Sequence, residues 1–104
     1  MENKLTIIVD GQNATIKKHG TIVKGTKGYL KCGILFSKEW DDMNKVLVCS
    51  NTFDFLNESA VPIIDGTCMI PDSVTDRKRI FLKIVGRNQK VKIITNICEL
   101  EQEG

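Results

Sequence analysis

The sequence predicts an all-β domain, an antiparallel sandwich or barrel of about seven to nine short strands with one or two short helical turns. Three observations carry that expectation. Apolar side chains recur at every second position, the repeat of a strand with one dry face. Asp-Gly corners at Asp10-Gly11 and Asp65-Gly66 interrupt the alternation. Helical signals are confined to two segments shorter than an average helix.

Taken in order, Leu5, Ile7 and Val9 alternate with Lys4 and Thr6, and Asn13 to Ile16 return after Asp10-Gly11. An Asp-Gly corner predicts a two-residue hairpin because both central positions need positive φ. Tyr29 to Phe36 put Leu30, Cys32, Ile34 and Phe36 on one face, with Lys31 and Gly33 on the other. Ser37 to Met43 predict one helical turn, with Ser37 as cap and acids early. Lys45 to Cys49 and Phe53 to Leu56 read as further strands around Ser50-Asn51-Thr52. Ile63-Ile64 and Thr67 to Ile70 flank the second Asp-Gly corner, and Pro71 to Val74 suit a second helical turn, Pro being tolerated at a first helical position. Arg79 to Val85 and Val91 to Ile94 form a third hairpin across Gly86 to Gln89, its return strand alternating Lys90 and Lys92 with Val91 and Ile93. The acidic tail over 99–104 is expected to fray.

With 104 residues and 11.7 kDa, the chain is expected to form a single β-sandwich domain over 1–104. Its 41% hydrophobic and 27% charged residues exclude disordered and collagen-like classes. Fifteen Lys and Arg against 13 Asp and Glu leave a net charge of +2, too mild to imply nucleic acid. No apolar run approaches the roughly 20 residues that span a bilayer, so no membrane role is expected. Met1-Glu2-Asn3-Lys4 leads straight into a strand without a signal peptide's apolar stretch, which predicts a cytoplasmic site of synthesis. Cys32, Cys49, Cys68 and Cys98 form no C-x-x-C knuckle and sit mostly among apolar neighbours, so they are expected as small buried hydrophobes.

Residues that carry chemistry are few. His19, the one histidine, lies in the charged turn Lys17-Lys18-His19-Gly20, with no nucleophile or orienting acid signalled beside it. Asp41 and Asp42 are sequence neighbours, better suited to solvating a turn than to sharing a substrate. Gly20, Gly25 and Gly28 flank a Lys-rich stretch that lacks both the phosphate-loop spacing and a following helix. The sequons at Asn13 and Asn57 carry no message without export. No cofactor, metal or catalytic residue is expected, and the chain reads as a non-enzyme.

Positive charge gathers in one place, at Arg77, Lys78, Arg79, Lys83, Arg87, Lys90 and Lys92. If Arg79, Lys83 and Arg87 share a strand face, they make a stripe fit for an acidic protein surface or for phosphates. Phe81 alone supplies an aromatic there, which argues against single-stranded nucleic acid. Trp40, the one tryptophan, suits either the core or a protein interface. Trp40, Arg77, Arg79, Lys83, Arg87, Lys90 and Lys92 are therefore the candidate partner-binding residues.

The segment Tyr29 to Lys45, with Phe36-Ser37-Lys38-Glu39-Trp40-Asp41 at its centre, resembles small structural or baseplate-type proteins of tailed phages from Gram-positive hosts. Cys68-Met69-Ile70-Pro71, Val85-Gly86 and Thr95-Asn96 follow in a similar order, so the resemblance spans about residues 4 to 98. Asp72 stands after Pro71, where the family often has Trp. The resemblance implies an immunoglobulin-like β-sandwich in a phage or prophage structural or adaptor role, in contact with other phage proteins or with further copies of itself. It also implies residence in the virion. The same fold is open to a second use, as a small phage-encoded inhibitor that meets a host defence or nucleic-acid-handling enzyme through its basic hairpin.

Overall fold

A computed structural model describes residues 3–17, 30–55, 58–70 and 79–101. The expectations for Lys18 to Tyr29, for the Pro71 turn and for Arg77 and Lys78 lie outside the described residues. Nine strands and one 3-10 turn make up the described residues: β1 (Asn3–Asp10), β2 (Asn13–Lys17), β3 (Leu30–Phe36), the 3-10 turn (Lys38–Trp40), β4 (Asn44–Ser50), β5 (Ser59–Pro62), β6 (Thr67–Met69), β7 (Arg79–Arg87), β8 (Lys92–Ile94) and β9 (Cys98–Glu101). They form two sheets, and the expected all-β sandwich is what the chain builds. One sheet runs β2-β1-β3-β6 and the other β5-β4-β7, with β8 and β9 both pairing the far side of β7.

The departures from the sequence reading have physical causes. β1 and β3 pair in parallel, from Asn3↔Leu30 to Val9↔Phe36, in an otherwise antiparallel pair of sheets. An alternating pattern reports which face is dry and is silent on strand direction. Phe53 to Phe55 belong to a turn rather than a strand: the Phe55 amide donates to the Thr52 carbonyl at 3.1 Å, and Phe55 takes φ 56°. In the first hairpin Asp10 pairs with Asn13, so the central residues are Gly11 and Gln12, and only Gly11 has positive φ (61°). Glycine first is the requirement of a type II′ turn.

Asp65 and Gly66 behave as expected, with φ of 53° and 72° between the bridged pair Ile64 and Thr67. The arms then diverge, since β5 pairs β4 while β6 pairs β3. What reads as a hairpin is a corner between sheets.

The core lies between the sheets. Leu5, Ile7 and Val9 from β1 face Leu47 and Cys49 from β4 and Ile80, Leu82 and Ile84 from β7, within one cluster of buried residues. Each fully buried Leu or Ile contributes about 1.5–3 kcal/mol. All four cysteines are buried free thiols, as anticipated. Burial pushes the Cys49 thiol up to about 12. Cys32 is raised out of the range where thiols ionise, by its cross-strand hydrogen bond to Cys68 and by burial.

A polar clasp joins the sheets at one edge. The Ala14 amide donates to Asn96 Oδ1 at 2.7 Å, and Asn96 Nδ2 donates to the Ala14 carbonyl at 3.2 Å. The Asn96 side chain thus mimics a backbone rung where β8 and β9 are interrupted. At the same break Thr95 Oγ1 accepts from the Ile84 amide at 2.9 Å, so a buried donor is not left unpaired.

Candidate protein-contact surface

Odd-numbered residues of β7 point away from the core, so Arg79, Phe81, Lys83, Val85 and Arg87 share the outer face of the five-stranded sheet. The anticipated sharing of a face by Arg79, Lys83 and Arg87 is therefore present. Their charges are nonetheless spent differently. Arg79 forms an exposed ion pair with Glu99 at 3.5 Å, an interaction of the kind that contributes about 0–1 kcal/mol. Lys83 is half-buried, with Nζ 4.4 Å from the centroid of the Phe55 ring. Phe81 lies buried beneath Phe53, the two rings meeting edge to face at 5.8 Å. The turn that carries Phe53 and Phe55 therefore covers the middle of the stripe.

Beyond that turn the face is open. Register places Pro62, Val46, Val85 and Ile94 in one row across four strands. Asn44, Arg87 and Lys92 form the adjacent row, so an aliphatic floor runs alongside paired cations. A shallow cavity of about 320 Å³ is lined by Asn44, Val46, Val85, Arg87 and Lys92. A second, of about 590 Å³, continues over the end of the sheet between Asp42, Asn44, Arg87, Asn88, Gln89 and Lys90. Lys90 is exposed in the connecting turn, which Asn88 holds by accepting from the Lys90 and Val91 amides at 2.8 Å each.

Trp40 belongs to the core, and the interface role considered for it does not fit a side chain with 0% exposure. Its Nε1 donates to the Gly11 carbonyl at 2.8 Å, and its ring lies 5.1 Å from that of Phe36. Gly86 allows this packing, since a Cβ there would lie 2.6 Å from the indole. Ser37 precedes the 3-10 turn but does not cap it; its Oγ accepts from the Gly11 amide at 2.9 Å. The motif from Phe36 to Asp41 thus ties the end of β3 to the first hairpin. Its visible product is the placement of Glu39, Asp41 and Asp42 in water.

The apolar row escaped the sequence reading, although a signal was there. Val46-Leu47-Val48-Cys49 and Ile93-Ile94 are unbroken apolar runs, which a strand with one wet face does not need. Asp41 and Asp42 are exposed in a turn, and among the described residues no group of three or more His, Cys, Asp or Glu side chains is placed to hold a metal. No helix of the described residues is long and apolar enough to cross a membrane. Comparison with family models, with curated proteins and with solved structures finds no match to this chain.

Proposed function

We propose that this chain is a non-enzymatic structural or adaptor domain of a phage or prophage, of the tail or baseplate kind, that works by protein–protein contact. The observation that carries the reading is the row Pro62, Val46, Val85 and Ile94, open on the outer face of the five-stranded sheet beside Arg87 and Lys92. An aliphatic strip edged with charge is the make-up of a docking patch, dry at its centre and polar at its rim. The partner that fits is another virion subunit presenting an apolar strip bordered by acidic side chains. The resemblance around Trp40 supplies the phage context, and the immunoglobulin-like assignment belongs to the same proposal, resting on the two-sheet architecture. In this reading the chain is made in the host cytoplasm and resides in the virion. Mass spectrometry of gradient-purified particles tests it: the chain is expected in fixed ratio to tail proteins, and Val85→Asp is expected to abolish incorporation with the circular dichroism spectrum intact. Particles that lack the wild-type chain overturn the reading.

A second reading, a free inhibitor of a host enzyme, is favoured by one observation. Arg87, Lys90 and Lys92 make no ion pair among the described residues, which leaves a cationic tip available to an acidic host protein. Reversing Arg87 and Lys90 is expected to abolish such inhibition, and wild-type binding is expected to weaken steeply with salt.

A further inference from the structure

One end of the sandwich carries two oppositely charged corners side by side. Asp10 closes β1, and Glu39 on the 3-10 turn with Asp41 and Asp42 just after it lie beside it; all four are exposed, and with Lys38 among them the corner keeps an excess of acid. Across the end, Arg87 closes β7, Lys90 sits in the turn and Lys92 opens β8, likewise exposed. The corners meet at the 590 Å³ cavity, which Asp42, Arg87 and Lys90 all line.

No ion pair joins the two corners among the described residues. Among the described residues the one ion pair is Arg79–Glu99, at the far end of β7. Both corners are held from beneath. The buried Trp40 ring fixes the acidic turn against Gly11 and Gly86, and the Asn88 carboxamide fixes the basic tip. Exposed charges of both signs side by side can all be met at once by a partner carrying the same two signs in reverse order.

We propose that this end binds a second copy of the chain about a twofold axis, the acidic corner of each protomer meeting the basic corner of the other. A twofold axis makes every contact twice, so a patch with opposite charges on either side of the axis is self-complementary. The inference goes beyond the partner-binding reading, and because the test needs no other protein, either can fail while the other stands. Exposed pairs of this kind are weak individually and screened by salt, so the dimer is reversible and strongest at low ionic strength.

Sedimentation equilibrium of the full chain tests the proposal. At about 20 mM salt and high micromolar protein the mass is expected to approach twice 11.7 kDa, and to fall toward the monomer at about 500 mM. Arg87→Glu with Lys90→Glu makes both corners acidic, and Glu39→Lys with Asp41→Lys makes both basic. Each double variant is expected to be monomeric alone, and a 1:1 mixture of the two is expected to recover the dimer mass. That recovery also excludes misfolding as the cause of the loss in each double variant alone. A wild-type monomer at about 1 mM protein in low salt, a dimer indifferent to salt, or a mixture that stays monomeric overturns the proposal.

Discussion

On the outer face of the four-stranded sheet, apolar and polar side chains mix: Thr15 flanks the apolar neighbours Ile8 and Leu35 in one row, and Lys17, Thr6, Gly33 and Thr67 form the next. On the five-stranded sheet the corresponding direction gives Pro62, Val46, Val85 and Ile94 without interruption, then Asn44, Arg87 and Lys92. Half of that second face is also roofed by its own turn, with Phe53 on Phe81 and Phe55 against Lys83. The inner faces of the two sheets are alike, both lined by Leu, Ile and Cys. The difference lies on the sides that water reaches: one sheet carries a row of four apolar side chains across four strands, whereas the other exposes Leu35 beside Ile8 and Thr15, and Met69 beside Lys31. Under the proposed function that longer row is the docking strip.

The largest expected effect separates the outer faces by stability. Phe81 is 7% exposed beneath its roof, whereas Leu35 on the other sheet is 62% exposed. Phe81→Ala is expected to lower the unfolding free energy by about 3 kcal/mol, and Leu35→Ala by less than about 0.5 kcal/mol. Urea denaturation of the two variants measures both. Equal losses would mean that the outer faces are equivalent layers of one structure, and the comparison would break.

Next in size is an effect confined to the five-stranded sheet. Burial raises the Cys49 thiol in β4 from the ordinary value of 9.0 to about 12, whereas in the four-stranded sheet the hydrogen bond that raises Cys32 lowers its partner Cys68, so that pair's shifts oppose each other. Above about pH 9 the unfolded chain releases the Cys49 proton while the folded chain retains it, so the fold binds more protons than the unfolded state and stability falls with rising pH. Below that value the contribution is present in full. Between pH 8 and 10 the unfolding free energy from urea denaturation is expected to drop, with a limiting slope of about 1.4 kcal/mol per pH unit from this thiol. Cys49→Ala starts less stable and is expected to show the shallower slope. An unchanged slope would mean that the Cys49 thiol meets water.

The contrast between the sheets also marks what the sequence made legible. Alternation in Leu5, Ile7, Val9 and in Cys32, Ile34, Phe36 identified the inner face of the four-stranded sheet, because polar residues on its other side make the period visible. In β4 the run Val46 to Cys49 is apolar on both faces, and a period of two cannot show in it. The Asp65-Gly66 turn was legible from local sterics, since both positions take positive φ, while the departure of its arms into separate sheets depends on pairing with β3 and β4, far away in the chain. Basic residues could be placed on one face by counting in steps of two. That Arg79 meets Glu99, that Lys83 meets Phe55, and that Arg87 stands clear of both is set by strands and turns that come together only in the fold.

The smallest expected effect on stability is also the most discriminating. Ile94 is 41% exposed at the open end of the aliphatic row, and Ile94→Thr keeps the branched Cβ that favours a strand while replacing a methyl-bearing surface with a hydroxyl. Its unfolding free energy from urea denaturation is expected to stay within about 0.5 kcal/mol of the wild type, because the side chain contributes little to the core it faces away from. Incorporation into particles, or binding to the partner subunit, is expected to fall by roughly tenfold, since an apolar contact buried in a docking patch is worth about 1.4 kcal/mol. If stability falls and binding does not, the row is a second structural layer rather than a docking strip. The two outer faces would then differ only in how each is packed.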